Sequence, residues 1–232
     1  MTILEQLREK NTKIIYSIED GVFNKYGQIL KVDVNETMIK YMEENPDFPE
    51  LGNCYTASDK ELELYPLKQW VEDNVYGQVE SQFGYCNGNN SQVHGFEFHQ
   101  CSEVFIAVTD CILALIEPHR PLWNKEYNID NAHLFYVPKG VIIELYPLVG
   151  HFAPIRVYEE GFRSIIILTK GTNATLPPIS LRKEYKEMID LDAKQLAFAH
   201  NKWLYVHKDR MDLVDKGAYL HVIGDNSPIK VL

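Results

Sequence analysis

From Gln78 onward, apolar and polar positions alternate in short runs broken by turn residues. Val79, Ser81, Phe83 and Tyr85 alternate with polar neighbours, and Asn87-Gly88-Asn89-Asn90 follows as a hairpin signal. Val93–His99, Glu103–Val108 and Cys111–Ile116 read as further strands, with Thr109-Asp110 as a bend between the last two. His133–Val137 is closed by Pro138-Lys139-Gly140, and Val141–Tyr146, Ala153–Val157 and Ser164–Leu168 continue the rhythm. Short strands at turn-separated intervals predict a mainly β protein, an antiparallel sandwich or small barrel. Beyond Lys170-Gly171-Thr172 and the Pro177-Pro178 stop, residues 180–190 read as a surface helix or loop. Lys202–His207 and Tyr219–Ile223 are two more predicted strands, separated by a short helix around Met211–Val214.

The first third of the chain carries a different pattern. Thr2 is placed to cap a helix whose apolar positions are Ile3, Leu4 and Leu7. Ile14–Ile18 is β-branched and aromatic and reads as a strand. Asn35 caps a predicted helix over Glu36–Glu44, with Met38, Tyr41 and Met42 on one face and Pro46 beyond its end. Ser58 with Glu61 three residues later has the spacing of a capping box, and Pro66 opens a helix to Asn74. The expected organisation is a mixed segment over 1–76 packed on the barrel, a barrel core over 77–175, and C-terminal strands over 176–232 that complete the fold. No Gly/Ser/Pro-rich linker separates them.

Composition narrows the function classes. Of 232 residues, 45% are apolar and 24% charged, a globular balance. The net charge of −10, with no basic run, argues against nucleic acid or an anionic membrane as a partner. No stretch approaches the ~20 apolar residues that span a bilayer, and the N-terminus has no signal-peptide pattern. Four scattered cysteines without a C-x-x-C pair point to free thiols, and so to a soluble cytoplasmic protein. The aromatic residues (14 Tyr, 10 Phe and 3 Trp) provide material for a homodimer interface.

The candidate chemistry lies in Glu97-Phe98-His99-Gln100-Cys101-Ser102-Glu103. Strand side chains alternate faces, so Glu97 and His99 share one side, and a tight turn at Gln100–Ser102 would return Glu103 beside them. Glu144 and His151 follow about fifty residues on. With His151 the set offers two nitrogens and two carboxylate oxygens, suited to a divalent transition metal: Mn, Fe or Zn. Alternatively one carboxylate stands just off the metal as a general base. His94 is a rival ligand of opposite parity that needs a bulge near Gly95 to join. A second reading stands beside this one: Phe96 and Phe98 define the buried face, and Glu97 and His99 point to water.

Gly95 to Glu103 resembles the first motif of the cupin family, with Glu97 where the first histidine usually stands. Val137-Pro138-Lys139-Gly140 resembles the Pro-x-Gly opening of the second cupin motif. That motif normally has a histidine three residues after the Gly, whereas this chain has Ile143 and then Glu144, and His151 comes later than the usual slot. Tyr85–Asn90, the Glu-x-His-x3-Glu stretch, Glu144-Leu145-Tyr146, His151–Pro154 and Asn201-Lys202-Trp203 together resemble a bacterial cupin-like family of unknown function. The resemblance implies a cupin-type double-stranded β-helix, or jelly-roll barrel, with N-terminal helical additions.

It also implies a metal held by Glu97, His99, Glu103 and His151 and a small-molecule substrate. Glu97, Glu144 and Tyr146 are then the candidate catalytic side chains, with Arg156 and Lys139 as substrate-binding residues. The plain alternatives for the last two are a strand-edge Arg and a turn Lys. The expected activity is isomerisation or epimerisation of a sugar or sugar acid. The alternatives are a lyase or hydrolase resembling ureidoglycolate lyase and a sugar-binding cupin without turnover.

Overall fold

Successive strands of this chain land in opposite walls of a barrel. The computed structural model describes residues 1–44, 47–120, 125–176 and 197–232. Among them fourteen strands, numbered in chain order, form three sheets. The largest runs β2 (Gly27–Ile29), β10 (Ile142–Leu145), β6 (Glu103–Ala107), β12 (Phe162–Thr169), β4 (Ser81–Gly88), β3 (Asn53–Thr56). The facing wall runs β1 (Ile15–Ser17), β9 (His133–Val137), β7 (Cys111–Leu115), β11 (Ile155–Arg156). A third sheet runs β5 (Gly95–Phe98), β13 (Trp203–His207), β14 (Tyr219–Ile223), β8 (Tyr127–Asn128). Bridges between Glu97 and His151 and between Ile116 and Gly150 carry the barrel wall across from this third sheet.

The chain passes from the large sheet to the facing wall at Thr109-Asp110, returns at Pro138–Gly140, and crosses again on either side of β11. That alternation is the cupin-type double-stranded β-helix. Inside it, Phe105, Ile143 and Ile166 from one wall meet Leu113, Phe135 and Val137 from the other. The outer face of the large sheet is covered by α2 (Glu36–Glu44) and α3 (Leu67–Asn74), whose Met38, Met42, Leu67 and Val71 pack on Phe83, Val104, Ile106 and Ile165. A second outer cluster sets Leu7 of α1 (Ile3–Lys10) against Phe96, Phe98, Tyr127 and Tyr205.

Several local signals act where the pattern puts them. Thr2 and Glu5 form a reciprocal capping box on α1, the Asn35 side chain accepts from the Thr37 amide at 2.9 Å, and Pro66 opens α3. Ser58 does not cap. The Asp59 carboxylate accepts the amides of Glu61 and Leu62, both at 3.0 Å, because an ionised oxygen is the stronger acceptor there.

The Asn87–Asn90 segment is not a hairpin turn either. β4 pairs with β3 and β12, and β5 with β13, so this segment leads out of one sheet into another. Its asparagines fasten loops: Asn87 donates to the Asp47 carbonyl, Asn89 to that of Pro49, and buried Asn90 to those of Gln92 and Pro154. The Pro46 stop, the Pro177-Pro178 stop and the element expected at 180–190 lie outside the described residues. Among the described residues, no helix is long and apolar enough to cross a membrane.

Candidate metal centre

β5 runs antiparallel to β13 with Phe98 opposite Trp203 and Glu97 opposite Leu204. Alternation sends Phe96 and Phe98 into the outer aromatic cluster and turns Glu97 and His99 inward. Phe96 and Phe98 are fully buried, His99 is only 1% exposed, and Glu97 is partly exposed toward the cavity. The chain then bends at Gln100–Ser102 and enters β6 at Glu103, which lies opposite Leu145 and shares its inward face. His151 arrives by a different route. Its amide and carbonyl exchange hydrogen bonds with those of Glu97, at 3.1 and 2.6 Å, which sets the two side chains directly across from each other.

The four side chains converge, with one ligating atom from each lying within 4.8 Å of the others. His99 Nε2 is 3.4 Å from Glu97 Oε1 and 3.9 Å from Glu103 Oε2; His151 Nε2 is 3.8 and 3.1 Å from the same two atoms. Each ring is oriented from behind. His99 Nδ1 lies 2.9 Å from the Asn201 carbonyl, and His151 Nδ1 lies 2.9 Å from the Val149 carbonyl. A carbonyl only accepts, so both rings donate from Nδ1 and direct Nε2 at the carboxylates.

Among the described residues, His99 Nε2 is buried without a hydrogen-bond partner. An orphaned imidazole nitrogen facing two carboxylates and a second imidazole fits a divalent cation. Two nitrogen and two oxygen donors suit Mn²⁺, Fe²⁺ or Zn²⁺, and the carbonyls behind the rings are the outer support such ligands require.

Lys202 was not among the residues expected at the site. It directly precedes β13, and its Nζ pairs with Glu97 Oε2, the oxygen turned away from the imidazoles. Its neighbour Asn201 has a positive φ of 56°, a conformation asparagine tolerates, and this aims its carbonyl at His99. The Asn201 side chain accepts from the Gln100 amide and donates to Thr172 Oγ1, fixing the turn that carries Glu103 inward. In the sequence only the Asn201-Lys202-Trp203 triplet hinted at this.

The electrostatics follow from these contacts. Burial opposes ionisation of Glu97, but Lys202, His99 and His151 outweigh it and hold the carboxyl well below its usual range. Burial alone would depress His151, yet the Glu103 carboxylate and then Glu97 push it up to about 9.

The cluster forms one end of a cavity of about 660 Å³, whose wall includes Tyr55, Cys86, Phe152, Asn173, Lys202 and Arg210. His94 lines this cavity but stands outside the four-residue group, and its imidazole faces Asn226.

The remaining expected site residues are placed elsewhere. Glu144 lies opposite Val104, so it projects from the face of β10 opposite to Glu103, where it accepts from Ser102 Oγ at 2.6 Å and Gln28 Nε2 at 2.8 Å. Tyr146 is half-buried against the barrel core and is not part of the cavity wall. Lys139 pairs with Glu43, and Arg156 pairs with Glu159 at 2.7 Å. None of the four is in the cluster: strand parity turns Glu144 away, and acidic partners hold Lys139 and Arg156.

A cupin barrel with a buried two-histidine, two-glutamate cluster at the end of an open cavity defines a protein with a candidate divalent-metal centre. More particularly, the chain belongs to the family described as "Domain of unknown function (DUF4867)", whose model matches residues 15–227. No curated protein matches it.

Among solved structures it is similar to a mutant of Bacillus subtilis oxalate decarboxylase, with 12% identity, 82% of this chain and 40% of that one covered, and a TM-score of 0.36. Another structure of that enzyme, described for its Mn(II) centres, shows 12% identity over 69% of this chain and 39% of that one, with a TM-score of 0.33. Vicilin from Corylus avellana (hazelnut) shows 8% identity over 75% of this chain and 40% of that one, with a TM-score of 0.34. The chain spans about 40% of the length of these structures.

Proposed function

We propose that this protein is a metal-dependent cupin enzyme that isomerises or epimerises a small polar metabolite, a sugar or sugar acid. The observation that carries the reading is the buried Nε2 of His99, without a hydrogen-bond partner among the described residues and aimed at two carboxylates and a second imidazole beside a cavity of metabolite size. Glu97, His99, Glu103 and His151 would hold a divalent cation, and such an ion supplies Lewis acidity toward neighbouring hydroxyl and carbonyl oxygens.

The chain's own groups supply the rest. Glu97 lines the cavity together with Glu103 and His151 and is the carboxylate we assign to carry a proton at the substrate carbon. Tyr55 Oη accepts from Asn173 Nδ2 at 2.9 Å, which leaves its own O–H to donate to a ligand oxygen. Phe152 and Leu204 form apolar wall and limit the water around the reacting carbon.

The test has two stages. Elemental analysis of protein purified without added metal should find stoichiometric transition metal that disappears in His99→Ala; equal content in both proteins overturns the metal centre. The loaded protein is then incubated in D₂O with a panel of aldoses, ketoses and sugar acids. Proton NMR should show deuterium entering beside a carbonyl. Ligand-dependent thermal shifts without exchange or product would make the protein a sugar-binding cupin, and cleavage of ureidoglycolate would make it a lyase.

A further inference from the structure

The charges around the cavity define a class of ligand. Among its described lining residues, the acidic side chains are Glu97 and Glu103 and the permanent cations are Lys202 and Arg210. With neutral histidines this wall is formally balanced. A divalent ion in the cluster would leave two positive charges in surplus.

The two cations are not equivalent. Arg210 is already engaged by Asp212, Nε to Oδ1 at 2.8 Å and Nη2 to Oδ2 at 2.9 Å. Lys202 has Glu97 as its acidic partner, and its side chain is 15% exposed. Once Glu97 shares its charge with a cation, the Lys202 ammonium is a mostly buried charge without full compensation, a costly state unless another anion arrives. Glu97 is also divided between two tasks. Its Oε1 faces the imidazoles and its Oε2 faces Lys202, so the ammonium stands next to the cluster on the cavity side.

We propose that the cavity takes a small anionic ligand, a hydroxy- or oxo-carboxylate, whose carboxylate pairs with Lys202 while its neighbouring oxygen faces the metal centre. Lys202 is thus the residue that selects acids over neutral polyols. This deepens the function proposed above and rests on its metal centre, naming a sugar acid rather than a neutral sugar as the substrate class.

Isothermal titration of the Mn²⁺-loaded protein separates the possibilities, with glycolate as the acidic probe and ethylene glycol as its neutral counterpart. Glycolate should bind at least tenfold more tightly than ethylene glycol. Lys202→Gln should cut glycolate affinity about tenfold while metal content measured by elemental analysis stays stoichiometric, and Lys202→Arg should retain most of the preference. Equal binding of the two probes overturns the proposal, as does unchanged glycolate affinity in a metal-replete Lys202→Gln protein. Should Lys202→Gln fail to fold, the comparison of probes on the wild type and on Lys202→Arg decides alone. Failure of the wild type to hold Mn²⁺ would instead defeat the underlying metal reading, and elemental analysis registers that before any probe is added.

Discussion

His151 Nε2 and Glu103 Oε2 meet at 3.1 Å although 48 positions separate them in sequence. Glu103 comes from the large sheet, and His151 from the segment bridged to β5, so this contact measures how the two walls are set against each other. Replacing either end should abolish metal binding and leave the barrel folded. Glu103→Gln and His151→Ala are expected to lower divalent affinity by more than the 10–100-fold typical for losing an outer support of a metal ligand. Titration with Mn²⁺ and circular dichroism check the two halves of this expectation.

In the proposed centre, Lys202 would compete with a cation for Glu97. Removing the ammonium frees the carboxylate, so Lys202→Gln should bind Mn²⁺ more tightly, by about tenfold or about 1.4 kcal/mol. Weaker metal binding in this variant would show that Lys202 orients Glu97 rather than competing for it.

Gly150 provides a purely steric test. A Cβ there would come within 2.8 Å of the Phe98 ring and 3.3 Å of Ile116, and both neighbours flank the bridge that precedes His151. Gly150→Ala should push the His151 segment off Glu97 and cost about 1–3 kcal/mol of stability as overpacking. Metal affinity should fall with it, although no ligand has been changed. Denaturant unfolding and metal titration on one preparation would expose any uncoupling of the two.

Tyr76 offers a stability test linked to the turn before Glu103. Its buried hydroxyl lies 2.7 Å from the Ile167 carbonyl and 3.1 Å from that of Ser102. Tyr76→Phe keeps the ring and strips a donor from these carbonyls, at an expected cost of about 1–3 kcal/mol in urea unfolding.

Glu72 gives a pH dependence away from the cluster. Its carboxylate accepts the Ser81 amide at 2.8 Å and the Ser81 hydroxyl at 2.9 Å, and it pairs with Lys68 at 3.1 Å, fastening α3 to β4. Burial would raise its pKa, but the Ser81 and Lys68 contacts prevail and lower it below 4.5. A lowered folded-state value stabilises the fold above the ordinary carboxylate pKa, and that contribution is lost as the pH falls through the folded value. Glu72→Gln should therefore cost about 1 kcal/mol at pH 7 and progressively less in acid. A constant difference between the two proteins from pH 7 down to pH 3 would contradict this origin.

Local chemistry made much of the fold legible. His133–Val137 is a strand at its expected bounds, and Thr2, Asn35 and Pro66 open helices where their side chains and backbone favour it. Within the site, the parity of Glu97 and His99 and the turn to Glu103 were readable because they span only a few residues. Pairing between distant strands was not. Asn87–Asn90 carries a hairpin signal, but β4 and β5 belong to different sheets. Glu144 reads from the sequence as a candidate catalytic carboxylate, but register places Leu145, not Glu144, opposite Glu103. A shift of one position exchanges the two faces of a strand, and nothing local to Glu144 reveals which face points inward. Lys202 stayed hidden for the same reason, since its nearness to Glu97 depends on β5 pairing with β13.

That last pairing also bears on how the protein comes into being. All four side chains of the candidate centre are translated by residue 151, yet the carbonyl that steers His99 and the ammonium that holds Glu97 come from residues 201 and 202. A ribosome-bound chain stopped before Asn201 would expose the donors without their orientation. The four side chains thus reach their final mutual arrangement only once β13 has docked along β5.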